Sequence, residues 1–395
     1  MPVNYQQVQQ QVREQVKLAP ALKEQLRERL QKAHDLLSNY SNDLKYLQDK
    51  VKHAAASDKG LRCAVPLTEP LNQSVSVAVP EAYPLLLAAD GSQINPNRHD
   101  AIEFGLINIG VIRITPVQAV TPSETTACEL FLYQDSTNDS GPLTEELVAL
   151  KRDYKERKEL ATLARAESGM VMTLTDGPLE LFREPKGNAS FDRLFEEYLD
   201  VMEILASMNT ITAGYVDKPG ADLVVRLLEL GLYPDEELHK AGKERPLGGI
   251  RDVAMLQSVL APTQRSAVFA IQSSSAEKFS KRIHGQMALH FFYLNVGTAG
   301  KPWLVRVELP AWVSRQPELV DLLHATLLQQ CRQLGVKPYP YALHRAHEVA
   351  LVSFQEKEQV QILIEAELNR AGIASGEKSN KQSTKDLPGR KGYKS

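Results

Sequence analysis

The chain alternates between polar stretches that carry leucine at helical spacing and short apolar runs that end in glycine or aspartate. Between residues 5 and 56, Leu22, Leu26, Leu30, Leu36, Leu37, Leu44 and Leu47 recur at about helical spacing among Gln, Glu, Lys and Arg. Pro20 suits the first turn of a second helix, so the pattern predicts a helical hairpin or arm at residues 1–60. Such a pair can bury its leucines on a partner or on the protein's own core, and the sequence alone favours neither.

A loop rich in Pro, Ser and Asn then leads into residues 84–90, PLLLAAD, a short continuous apolar run closed by Gly91. That is the pattern of a strand buried on both faces. Further strands are predicted at 104–114 and 127–133, followed by a long charged helix at 143–167. A strand at 170–175 ends in Asp176-Gly177; a helix at 191–208 and a strand at 211–216 follow. Residues 221–265 read as helix and loop, with strands at 268–272, 290–296 and 303–309 and helices at 318–334 and 343–371. Three strands in a meander, then strands joined through helices, predict a mixed sheet with helices on both faces: an α/β fold.

Composition narrows the classes. With 395 residues, 43% hydrophobic and 24% charged, the chain reads as an ordinary globular protein. No apolar run approaches the roughly 18–20 residues that cross a bilayer, so no membrane association is expected. The opening MPVNYQQVQQQVREQ lacks the apolar core of a secretory signal. Cys63, Cys128 and Cys331 are widely spaced and form no CxxC pair, which argues against a disulfide framework or a zinc site. Together these features lead to an expected cytoplasmic location. A net charge of −3 means that any nucleic-acid contact must come from locally concentrated cations. Residues 375–395 hold six Lys or Arg against two acids, with almost no apolar side chains, and read as a disordered basic tail.

Three acids fall where one chemistry would need them. Asp90 closes the first buried strand, Asp176 closes the strand at 170–175, and Glu159 or Glu156 lies on the helix between them. If those two strands are parallel neighbours, their ends bring both aspartates together, and the helix can add a glutamate. Clustered carboxylates hold hard cations such as Mg²⁺ or Mn²⁺, which makes phosphodiester hydrolysis the natural reaction. Taken singly, each acid has a plainer reading, since Asp-Gly is a common turn and a helical glutamate is usually solvated. The combination carries the argument.

LAADGSQINPNRHDAIEFGLINIGVI, VMTLTDGPLELF, ITAGYVDKPGADLVVRLL, LQSVLAPTQRSAVFAIQSS, VRVELPAW and YPYALHRAHEVALVS follow one another in the order of the NurA nuclease family, which this chain resembles over about 82–355. The resemblance implies a ribonuclease H-like fold, a homodimer and Mn²⁺- or Mg²⁺-dependent cleavage of DNA, with two ions expected. It implies 5′→3′ exonuclease and single-strand endonuclease activity in DNA-end processing, with a HerA-type ATPase translocase as partner. By position it makes Asp90, Asp176, Glu159 (with Glu156 as fallback) and His347 the metal and catalytic set, with Ser92 a minor support. His344, three residues before His347, lies on the same helical face. Arg265, Lys278 and Lys281, with Arg282 beside them, are candidate phosphate contacts, because Gln272 stands where relatives are expected to carry lysine. Two other readings remain: a non-catalytic DNA-end adaptor that docks a motor ATPase, and an actin-like ATPase, for which no repeated phosphate loop is seen.

Overall fold

The computed structural model describes residues 3–97, 102–116, 120–132, 144–181 and 189–373. The tail expected at 375–395 lies outside them. In chain order the elements begin with α1 (Tyr5–Asn39), α2 (Leu44–Ser57), β1 (Cys63–Pro66) and β2 (Ser74–Val75). They continue with β3 (Leu85–Ile94), β4 (Phe104–Ile114), β5 (Ser123–Leu132), α3 (Glu145–Arg165), β6 (Val171–Asp176), α4 (Ala189–Ser207) and β7 (Ile211–Val216). Next are α5 (Leu223–Gly231), α6 (Asp252–Leu256), β8 (Arg265–Ser266), β9 (Phe269–Gln272) and α7 (Ser274–Ser280). The chain closes with β10 (Leu289–Asn295), β11 (Leu304–Pro310), α8 (Ala311–Ser314), α9 (Pro317–Gln333), α10 (Tyr341–Ala350) and α11 (Phe354–Arg370).

The chain divides into two compact units. The first contains Met1–Pro80, Gly177–Glu180 and Gly214–Cys331, and the second contains Glu81–Asp176, Leu181–Ala213 and Arg332–Ser395. In the first unit, β1, β9, β10 and β11 pair antiparallel in that order, β11 continues onto the end of β7, and β2 and β8 form a short side ladder. The end of α1 and α2 belong to this core. Ala33, Leu36, Leu37, Leu47, Val51 and Ala54 are buried, and the Tyr40 ring and Leu47 lie against Gly231 of α5.

In the second unit β3, β4 and β5 form the expected antiparallel meander, and β6 lies parallel to β3. Both faces are covered at β3 and β4, whereas β5 is mostly exposed. On one face Leu85, Leu87 and Ala89 pack with Val148, Leu160 and Ala164 of α3, each full burial of a large apolar side chain contributing roughly 1.5–3 kcal/mol. On β4, Gly110 brings the backbone of α10 against the strand. Ile364 of α11 packs with Ile94, Phe104 and Leu106 near the end of the β3–β4 ladder.

Three expectations change. α1 runs straight through Pro20 and breaks only after Asn39. Positions 3–25 are all exposed, so the carbonyl that loses its donor to proline is hydrated rather than orphaned. The helix expected at 343–371 is two helices, because Ser353 and Glu356 form a capping box that starts α11 afresh. β3 continues four residues past Asp90, so that aspartate sits within a strand. Among the described residues no helix is long and apolar enough to cross a membrane.

The first unit also contains a pH-sensitive group. His324 is buried, with Nε2 donating to the Thr263 carbonyl at 2.8 Å and Nδ1 without a hydrogen-bond partner. Burial, aided by the nearby Arg265 charge, pushes its pKa down from 6.5 to about 4, which the Thr263 hydrogen bond only partly offsets. Between those values the unfolded chain binds a proton that the folded chain refuses, so stability falls as pH drops from 6.5 towards 4 and levels off below. The His324→Gln variant keeps a donor for Thr263 and is expected to lose less stability than wild type between about pH 7 and about pH 4.5 in urea titrations. Equal losses in the two proteins would remove His324 as a source of acid sensitivity.

Candidate metal centre

Asp90 owes its setting to two different ladders. The parallel pairing of β3 with β6 ends at Ala89↔Thr175, whereas the antiparallel pairing with β4 continues to Ile94↔Leu106. One residue beyond the last parallel pair, each strand carries an aspartate: Asp90 on β3 and Asp176 on β6. Side chains alternate along a strand, so Asp90 and Ser92 share the face on which α10 packs, and Ala89 and Gly91 share the face of α3.

Glycine is required at both close approaches. A Cβ on Gly110, the partner of Asp90 in β4, would lie 2.6 Å from the Ala346 carbonyl oxygen and 2.6 Å from the Ala350 nitrogen. The absence of that side chain lets α10 press its backbone onto the strand. The same contact sets His347 beside Asp90, with Nδ1 2.7 Å from Oδ2. An ionised carboxylate can only accept, so Nδ1 donates and Nε2 is left as the nitrogen able to take a proton or a metal. The Ala350 carbonyl at the end of α10 accepts from Asn108 Nδ2 at 2.8 Å and from the Ser92 hydroxyl, tying the helix end to β3 and β4.

On the other face, a Cβ on Gly91 would meet Arg152 Cγ at 2.6 Å and Glu156 Oε1 at 2.8 Å. The carboxyl that α3 delivers next to Asp90 is therefore Glu156, which is buried. Burial, with the negative charges of Asp153 and Asp90, holds the Glu156 carboxyl well above the usual carboxylate range, and Arg152 and Arg157 pull the other way. Arg152 bonds Asp153 Oδ1 at 2.9 Å and has Nε 3.4 Å from Glu156 Oε1. Arg157, 2% exposed, donates to the Thr175 hydroxyl and faces the Ala213 carbonyl, tying α3 to the end of β6 and the middle of β7.

Of the expected set, then, Asp90 and His347 are in contact, Asp176 stands at the matching position of the neighbouring strand, and Glu159 lies half-buried on the flank of α3. Among the described residues, no three His, Cys, Asp or Glu side chains converge closely enough to ligate one ion together. Three carboxylates and an imidazole suit a hard divalent cation by chemistry. In this arrangement, however, Asp90 is held by His347, and Glu156 faces Arg152. The proposed phosphate contacts belong to the first unit. Arg265 is buried and bound to both oxygens of Glu69, at 3.1 and 3.0 Å, Lys281 pairs with Glu277 on α7, and Lys278 lies on the same helix. Arg152, Asp153 and Asn108 were not singled out from the sequence. A signal for Arg152 and Glu156 existed: Val148, Arg152, Glu156, Leu160 and Ala164 recur at every fourth position of α3, two charges inside an apolar stripe.

A family model described as the NurA domain matches residues 84–352. Among solved structures, the NurA nuclease from Sulfolobus solfataricus superposes with a TM-score of 0.51 at 13% identity, covering 86% of this chain and 98% of that one. The catalytic domain of human Endonuclease V gives a TM-score of 0.31 at 12% identity, covering 82% of this chain and 97% of that one, too low to carry an argument. No curated protein matches the chain. The fold class expected from the sequence, an α/β fold with a mixed sheet flanked by helices, stands, and the Sulfolobus solfataricus structure shares it.

The helix–strand contact can be tested directly. Gly110→Ala puts a methyl group into the backbone of α10 and is expected to destabilise by roughly 1–3 kcal/mol in urea titrations, the usual range for overpacking. An unchanged midpoint would mean that α10 does not lie flat on β4.

Proposed function

The chain belongs to the NurA domain family, and we propose that it is a metal-dependent DNA nuclease that hydrolyses phosphodiester bonds without a covalent intermediate. The observation that supports this most is the register of β3 and β6: it places Asp90 and Asp176 one residue past the same ladder end, with His347 on Asp90 and Glu156 arriving from α3. Asp90, Asp176 and Glu156 would hold Mn²⁺ or Mg²⁺, two ions being expected, with His347 as a further ligand or a proton carrier. The ions supply charge neutralisation at the scissile phosphate and make water acidic enough to attack. Asp90 orients the His347 ring through Nδ1, so that Nε2 can pass a proton at the leaving oxygen. The His347 side chain is 61% exposed, which leaves that nitrogen open to a substrate. Glu156 takes the place given to Glu159 in the sequence reading, because its carboxyl reaches Gly91.

Exonuclease action from 5′ ends, single-strand endonuclease action and work in DNA-end processing beside a HerA-type ATPase extend the same reading, supported by family membership. The expected homodimer or ATPase contact has a candidate surface in α1, where Tyr5, Val8, Val12 and Val16 are exposed at helical spacing. Val12→Asp is expected to lower the mass measured by light scattering or to abolish co-purification of the ATPase. Wild-type behaviour in both assays would reject α1 as the contact.

The nuclease reading is tested by digesting 5′- and 3′-labelled oligonucleotides in Mn²⁺, Mg²⁺ or EDTA. Asp90→Asn and Asp176→Asn are each expected to cut cleavage at least about 100-fold, as loss of roughly 3 kcal/mol of charge stabilisation requires. Cleavage that survives EDTA or both substitutions would overturn the metal site, and a wild type that cleaves in neither Mn²⁺ nor Mg²⁺ would leave the adaptor reading in place.

A further inference from the structure

Arg152 is held differently from Arg113 of the same unit. Its stem fills the space over Gly91, with Cγ and Cδ 2.6 and 2.9 Å from where a Cβ would stand. Its guanidinium lies among three carboxylates: it bonds Asp153 at 2.9 Å, faces Glu156 at 3.4 Å and interacts electrostatically with Asp90. Yet Nε, though buried, has no hydrogen-bond partner. Arginine and carboxylate often lock together through two parallel bonds. Arg113 does so with Glu167, at 2.5 and 2.8 Å, and so does not resemble Arg152. The Arg152 side chain is also 31% exposed, so its charged end has a route to solvent. The charge is compensated while the geometry stays loose, which is the character of an exchangeable counter-ion.

We infer that Arg152 is the resident counter-cation of the acidic site and that it yields its position among Asp90, Asp153 and Glu156 when a divalent ion binds. The inference rests on the proposed metal-dependent reading and assigns to this chain's own side chain the control of ion affinity. Without an ion, the guanidinium keeps the carboxylates from repelling one another. With an ion, it is a competitor of the same sign in nearly the same place.

The test is calorimetric titration of the full chain with Mn²⁺, paired with thermal melts in EDTA and in Mn²⁺. Arg152→Met keeps the stem over Gly91 and removes the charge; Arg152→Gln keeps a polar end toward Asp153 and also removes the charge. Either variant that folds is decisive. Both are expected to bind Mn²⁺ about five- to tenfold more tightly than wild type, to melt earlier in EDTA and to gain more from Mn²⁺. Affinity equal to or weaker than wild type, even with a lower melting temperature in EDTA, would make Arg152 a structural residue and overturn the inference. A wild-type protein that takes up no Mn²⁺ would instead overturn the metal-dependent reading itself, and this inference with it.

Discussion

Burying Glu156 beside Asp90 and Asp153 is costly, and the second unit is arranged around meeting that cost. A carboxylate removed from water needs a nearby cation or several donors, and removing one partner of a buried pair generally costs roughly 3–5 kcal/mol. α3 supplies both cations from its own sequence. Arg157 is the more firmly held one, bonded to Thr175 and facing the Ala213 carbonyl, which ties the helix to β6 and β7. Arg152 is the loose one, over Gly91. The helix is thus anchored at one arginine and more loosely held at Arg152, near Asp90.

The second dependence is steric. Two helices approach neighbouring strands from opposite faces, each at a glycine: α3 at Gly91 of β3 and α10 at Gly110 of β4. Asp90 lies directly before the first glycine and opposite the second. A side chain at Gly91 would push Glu156 and Arg152 away, and one at Gly110 would lift His347 from Asp90. The charged groups therefore meet because backbone, not side chains, fills the layers between them.

This explains which features the sequence disclosed. Asp90 and Asp176 were legible because each closes a short strand-like run just before a glycine, and parallel strands put such ends together. That Asp90 lies inside its strand was not legible, since strand length there depends on β4 continuing past the point where β6 stops. Pro20 read as a helix start because the sequence does not reveal that its surroundings are fully hydrated. The Ser353–Glu356 box was in plain view in VSFQE but was overridden by apolar residues on both sides. Glu159 was preferred to Glu156 on family spacing, whereas the fourfold stripe through Leu160 and Ala164 points to Glu156 as the inward position. β1 and β2, at four and two residues, are too short to have a periodicity of their own.

One consequence concerns how such a site can be stable before it is loaded. Carboxylates gathered with no internal cation would repel one another, and the unit would then depend on its ion to fold, as small metal-nucleated domains do. Here, internal partners already hold two of the acids, His347 for Asp90 and Arg152 for Asp153, and the two arginine charges partly offset the burial of Glu156. That also accounts for the lack of a three-ligand convergence among the described residues, because each acid is drawn towards its own partner rather than to a common point. Ion uptake at such a site is an exchange of one positive charge for another. Its net free energy would be a difference between two favourable terms, and on the proposed reading affinity would depend as much on how weakly Arg152 is held as on how well the acids coordinate.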